Sequence, residues 1–154
     1  MIKTLKLNDI IRSWQYALQS STYLREFCIS KYKKTPRIID GTNVKNVLHN
    51  MEYPQIILYP GAKQDGAGLK EHIYKLAIKW TILQSKSIKM GGMTSYSGVA
   101  ESDELGQLIY MELASLTANS KISSVSYKLE PSICFPRFPG WMNITLKIAP
   151  EIEL

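Results

Sequence analysis

A chain of 154 residues with 45% apolar and 21% charged residues has the balance of one folded domain with one core, which favours neither disorder nor a fibrous repeat. Its formal charge of +6 and pI near 9.3 admit an anionic partner, yet the 19 basic residues are scattered. The densest cluster is only "KYKK", Lys31 to Lys34, so a solvated basic surface is the favoured reading. No run approaches the roughly 18 apolar residues of a membrane span. The opening "MIKTLKLNDIIRSW" mixes charge and apolar residues too closely for a signal-peptide core, so a cytoplasmic product is expected. Cys28 and Cys134 share no local motif and are expected as buried small hydrophobes in a reducing compartment.

Taken in chain order, "LNDIIRSWQYAL" sets Leu7, Ile10, Ile11, Trp14, Ala17 and Leu18 at helical spacing, with Asn8 as N-cap and Asp9 in the first turn. A further turn or two follows through "STYLREFC", and "KYKKTPRIIDGTN" has the punctuation of a connecting loop. "EYPQIILYPG" is a run of strand formers closed by proline at both ends. After the turn-rich "GAKQDGAGLK" comes "HIYKLAIKWTIL", residues 72 to 83, which alternates throughout: Tyr74, Leu76, Ile78, Trp80 and Ile82 on one side, Lys75, Lys79 and Thr81 on the other. The two runs read as an antiparallel pair.

The segment "SKSIKMGGMTSYSGVAES" lacks periodicity and is expected as a mobile loop at about 86–98. A helix is then predicted with Ser102 as N-cap, Asp103 and Glu104 complementing its dipole, and a stripe of Leu105, Leu108, Ile109, Glu112, Leu113 and Leu116 with one polar exception. Two strands close the chain, "ISSVSYKLE" with Val125, Tyr127 and Leu129 on one face and "WMNITLKI" with Met142, Ile144, Leu146 and Ile148 on one face. Between them lies a proline-rich arm at about 131–140. The order helix, strand, strand, helix, strand, strand predicts a single α+β domain over 1–154, with one antiparallel or mixed sheet of about four strands and two main helices packed on one face.

The search for chemistry is negative. "GAKQDGA" has phosphate-loop glycines but Ala67 stands where the lysine must be, and "GAGLKE" lacks the third glycine of a dinucleotide loop. His49 with Glu52, and His72 with Glu71, are pairs without a third ligand, so surface histidines beside solvated acids are the favoured reading. "SYSG" is not a nucleophile elbow, and "NIT" at 143 to 145 is read as part of a strand. No catalytic residue, metal ligand or cofactor site is predicted, and no enzyme. Trp14 and Trp80 are assigned to the core, and Trp141 is the best candidate for an interface anchor.

This layout resembles the tail-terminator, or tail-completion, proteins of long-tailed bacteriophages, the lambda type above all. The resemblance rests on the N-terminal helix, "YPQIILYPG", "HIYKLAIKWTIL", the helix containing "LIYMEL", "ISSVSYKLE" and a closing strand opened by Trp141, and it covers nearly the whole chain. "EPSICFPRFPG" and the basic balance are outside the family pattern. The resemblance implies a structural virion protein, made in the host cytoplasm and carried on the tail. It would assemble as a homo-oligomeric ring, usually a hexamer, on the head-proximal end of the tail tube, stopping tube polymerisation and offering a surface to a head-completion or connector protein. DNA would pass through the lumen without specific binding. No membrane contact is implied.

Within that reading the sheet forms the ring wall, with Lys75 and Lys79 toward the lumen or a neighbour. The contacts to tube or neighbouring subunit are placed on Lys86, Lys89, Met90, Met93 and Tyr96 of the loop and on Phe135, Arg137, Phe138 and Trp141 of the arm. Two alternatives stand beside it: a head–tail connector or neck protein of similar fold, and a basic nucleic-acid-binding module using Lys75, Lys79, Lys128 and Lys147.

Overall fold

The structure is a computed structural model that describes residues 2–3, 6–41, 52–64, 72–116, 120–130, 135–148 and 151–152. Cys134, His49, Glu71 and most of the arm before Phe135 lie outside the described residues.

Helices α1 (Leu7–Ser20) and α2 (Thr22–Tyr32) lead into strand β2 (Arg37–Asp40), preceded by a two-residue strand β1 (Ile2–Lys3). Strands β3 (Gln55–Gln64) and β4 (His72–Leu83) follow, then a hairpin of β5 (Ser87–Met90) and β6 (Met93–Tyr96), helix α3 (Ser97–Ala114), β7 (Ser120–Leu129), β8 (Arg137–Ile148) and β9 (Glu151–Ile152). The main sheet has the order β2-β3-β4-β8-β7, parallel only between β2 and β3, and β1 pairs with β9. The architecture is α+β, with a mixed sheet of five strands and three described helices against one face. None of these helices is long and apolar enough to cross a membrane.

The alternation of β4 decides which face is the core. Tyr74, Leu76, Ile78, Trp80 and Ile82 are all buried and meet Ile56 and Leu58 of β3 and Phe138, Met142, Ile144 and Leu146 of β8. Above them lie Ile10, Ile11, Trp14 and Leu18 of α1, Leu24 and Cys28 of α2, and Leu105, Ile109 and Leu113 of α3. Burying one such side chain contributes about 1.5–3 kcal/mol, so the patterned face drives the layering.

Trp80 is the centre of this core. Its indole lies between Gly106 of α3 and Gly140 of β8, where a methyl group at either glycine would overlap the ring. The indole N–H donates to Ser102 O at 2.8 Å and to Ser102 Oγ at 3.1 Å, and the serine hydroxyl donates on to Phe138 O at 3.1 Å. Ser102 is therefore not the N-cap: α3 starts at Ser97, and Gly98, Ser102 and Gly106 form a stripe of small residues that brings the helix close to the sheet. Gly98 suits a helix here because the Phe138 ring occupies the space of its missing side chain. Asp103 and Glu104 are consequently interior helix positions and exposed. At the first helix the start is likewise Leu7, with Lys6 rather than Asn8 at the cap.

The polar exception in the α3 stripe has a partner. Ser21 caps α2 by accepting from Leu24 N at 3.3 Å and donates its hydroxyl to Glu112 Oε2 at 3.1 Å. That bond ties the junction of α1 and α2 to α3.

Three further expectations change. Residues 37–40, expected as loop, are an edge strand parallel to β3. β3 continues through Pro60 and Gly61 by way of a bulge, and Gly61 approaches the Lys75 backbone too closely for a side chain. The arm is shorter than expected, because Arg137 to Gly140 already belong to β8. Pro139 is tolerated in this interior strand because its carbonyl, accepting from Glu130 N at 3.1 Å, faces the point where β7 has ended.

Replacing Trp80 with alanine is expected to cost about 3–5 kcal/mol, whereas Ser102→Ala, which keeps the backbone acceptor, costs about 1–2 kcal/mol. Urea unfolding midpoints of the two variants check the ranking, and Gly106→Val should resemble the tryptophan variant.

Candidate functional site

The segment 86–98, expected as an irregular mobile loop, is a hairpin followed by the first turn of α3. Gly91, with φ at +60°, supplies the left-handed turn position between Met90 and Met93. The pairing Ile88↔Ser95 and Met90↔Met93 puts Ile88, Met90 and Met93 on one face of the ribbon, exposed at 59%, 69% and 71%. Lys89, Thr94 and Tyr96 share the opposite face.

The base of the hairpin is anchored. Lys86 O accepts from Ser97 N at 3.3 Å, and Tyr96 meets Phe135 edge to face at 5.4 Å, which in turn meets Phe138 at 6.1 Å. The structure thus joins the two groups of expected contact residues through Tyr96 and Phe135. Lys86, Lys89, Met90, Met93, Phe135 and Arg137 are exposed, but Phe138 is only 3% exposed and packs against Gly98. Phe138 belongs to the core and positions the hairpin rather than meeting a partner.

The sheet face away from the helices is the second candidate surface. Its strands align Lys79, Trp141 and Lys128 in one cross-strand row, Ala77, Asn143 and Ser126 in the next, and Lys75, Thr145 and Ser124 beyond. Trp141 is half-buried, stacked on Tyr59 at 5.6 Å with planes 24° apart, and the Lys79 ammonium lies 5.3 Å from its ring centre. The small Ala77 between them on β4 gives the two rings room to meet. Trp141 is therefore partly engaged within its own chain. The face grades from buried Ile57, Thr81 and Pro139 at one end to exposed Lys75, Asn143 and Lys147 at the other.

The titratable groups outside these surfaces form a buried cluster between α2 and α3. Burial pushes the Cys28 thiol from its usual 9.0 up to about 12. Burial first, and then the neighbouring Glu101 carboxylate, raise Tyr32 well above the usual phenol range. Glu101 accepts from Gln84 Nε2 at 3.3 Å. A thiol so held is a poor nucleophile at neutral pH, and the cluster reads as core. Among the described residues no three His, Cys, Asp or Glu side chains are grouped to hold a metal ion. Glu52 pairs with the Arg37 guanidinium, and His72 is buried at the start of β4 rather than on the surface.

Because the folded state holds both protons more tightly than the unfolded chain, stability is full below about pH 9 and declines as the pH rises toward 12. Melting temperatures measured across that window should fall, and Cys28→Ala should make the decline shallower.

Compared with models of known protein families the chain matches none, and no curated protein matches it at a significant level.

Proposed function

We propose that this chain is a structural subunit of a ring that caps the head-proximal end of a long-tailed phage's tail tube, stops tube polymerisation and presents the surface for head joining. The observation that carries the reading is the hairpin β5–β6: a ribbon tied to the core at its base, with Ile88, Met90 and Met93 exposed along one face. An exposed apolar ribbon of this kind is suited to a partner, and methionine adapts its shape to the surface it meets. A ring of identical subunits needs a head-to-tail contact made by two different surfaces of each copy. The hairpin supplies one, and the far face of the sheet beside Trp141 supplies another. The role is one of assembly and not of catalysis, with a hexamer as the expected ring and the tube protein and a head-completion protein as partners.

Negative-stain imaging of the purified protein, alone at high concentration and mixed with tail tubes polymerised from the tube protein of the same phage, tests the reading. Rings, or tubes halted at one length by an end-disc, are expected. The double variant Met90→Asp, Met93→Asp should keep its melting temperature, because both side chains are exposed. It should leave tubes uncapped. Monomers that ignore tubes, or capping that survives the double variant, would refute the hairpin's role.

A further inference from the structure

The charge of this protein is unevenly placed. Strands β3, β4, β7 and β8 together contain seven Lys and Arg residues and no Asp or Glu, although the whole chain has 13 acids against 19 bases. Just past β7, beside the far face, Glu130 takes Lys128 at 3.0 Å. Lys75 and Lys147 are exposed there without an ion-pair partner among the described residues. Between the lysines the exposed side chains are Ser124, Ser126 and Asn143, all hydrogen-bond donors.

We infer that the exposed half of this sheet face binds the phosphate backbone of duplex DNA without reading its sequence. Lys75 and Lys79 stand four residues apart on β4, about 13 Å along the strand, and Lys79 and Lys128 stand two strands apart, about 10 Å. Cations and small donors spread over such a platform contact phosphates and carry no base information. Base stacking has no platform, because the Trp141 ring already stacks on Tyr59 and carries the Lys79 ammonium. An acidic protein surface is a poorer occupant. Among the described residues none of the large exposed hydrophobic side chains lies in the half between Lys75 and Lys147, so they offer no apolar anchor of the kind a protein interface usually has at its centre. The inference goes beyond the ring reading, since it concerns the isolated subunit; capping is scored on tubes and DNA binding on the free chain, so either fails without the other.

The test is fluorescence anisotropy of a short labelled duplex of random sequence, titrated with the full chain from about 50 to about 200 mM salt. The wild-type protein should bind and weaken with salt, with a logarithmic slope of about −0.9 for each phosphate neutralised and three or four such contacts in all. Lys75→Glu with Lys147→Glu should weaken binding at least about tenfold at the lowest salt and flatten the slope. Lys31→Glu with Lys34→Glu, which changes net charge equally at the end of α2, should weaken it less than about threefold. Circular dichroism melts establish that both variants are folded, and Lys75→Gln with Lys147→Gln serves if the charge reversal is not. Equal losses in the two variants would overturn the inference. So would absence of binding by the wild type, which would leave the face to an acidic protein surface.

Discussion

The rest of the fold depends on how Trp80 is seated. An indole at the centre of a sheet needs both space and an acceptor for its N–H, since an unpaired buried donor costs about 1–3 kcal/mol. Gly140 on the adjacent strand and Gly106 on the covering helix supply the space. Ser102, one turn before Gly106, supplies the acceptor, and its hydroxyl donates a hydrogen bond to Phe138 O. The register of α3 on the sheet is set by these contacts, because a shift of one residue would swing the small stripe Gly98, Ser102, Gly106 off the strand beneath it.

From that seating the position of the hairpin follows. β4 ends at Leu83, and α3 has to begin above Phe138 for Gly98 to accept the ring. The intervening residues have nowhere to go except outward, where they pair with each other. The aromatic series Tyr96, Phe135 and Phe138 links the ribbon to the same core, so the apolar tip is held by a fixed base. The far face of the sheet owes its character to the other half of the β4 alternation. The residues that the core does not take on β4 and β8 include Lys75, Lys79, Lys147 and Arg137 beside Trp141, Asn143 and Thr145, with Ile73, Ala77, Leu83 and Pro139 among them, and the bulge at Gly61 exchanges the faces of β3 beyond it, setting Lys63 over Tyr74. A thin wall with a helical layer on one side and a basic surface on the other suits a part that separates two environments, which is the common ground between the capping and DNA-contact readings.

Periodicity and side-chain chemistry were legible where they concerned long elements. The helix from Leu7, the core side of β4 and the core side of β8 from Met142 onward followed from apolar spacing, because an amphipathic element repeats its pattern several times, and the antiparallel pair of β3 and β4 followed from two runs of strand formers with turn residues between them. Short elements did not. β2 is four residues between a proline and a glycine, too brief to show a period, and it becomes a strand only because β3 offers an edge. Met90, Gly91, Gly92 and Met93 carry a hairpin signal in their paired glycines, but the polar–apolar alternation of Ser87 to Met90 runs for only four residues and Met93 to Tyr96 does not continue it, too little to register as a period.

The sequence by itself determined the fold class, the face of β4 that is buried, and the placement of Lys75 and Lys79 on its other face. These depend on residue type and order along one element. The tertiary structure alone decided that Ser102 is an anchor and not a cap, that Phe138 is core and not contact, that Trp141 is shared with Tyr59, and that Glu112 has a hydroxyl partner. Each of those outcomes depends on a residue distant in sequence: Trp80, Gly98, Tyr59 and Ser21. Local pattern carries no information about which small residue will meet which large one, because that is settled only when helix and sheet close on each other.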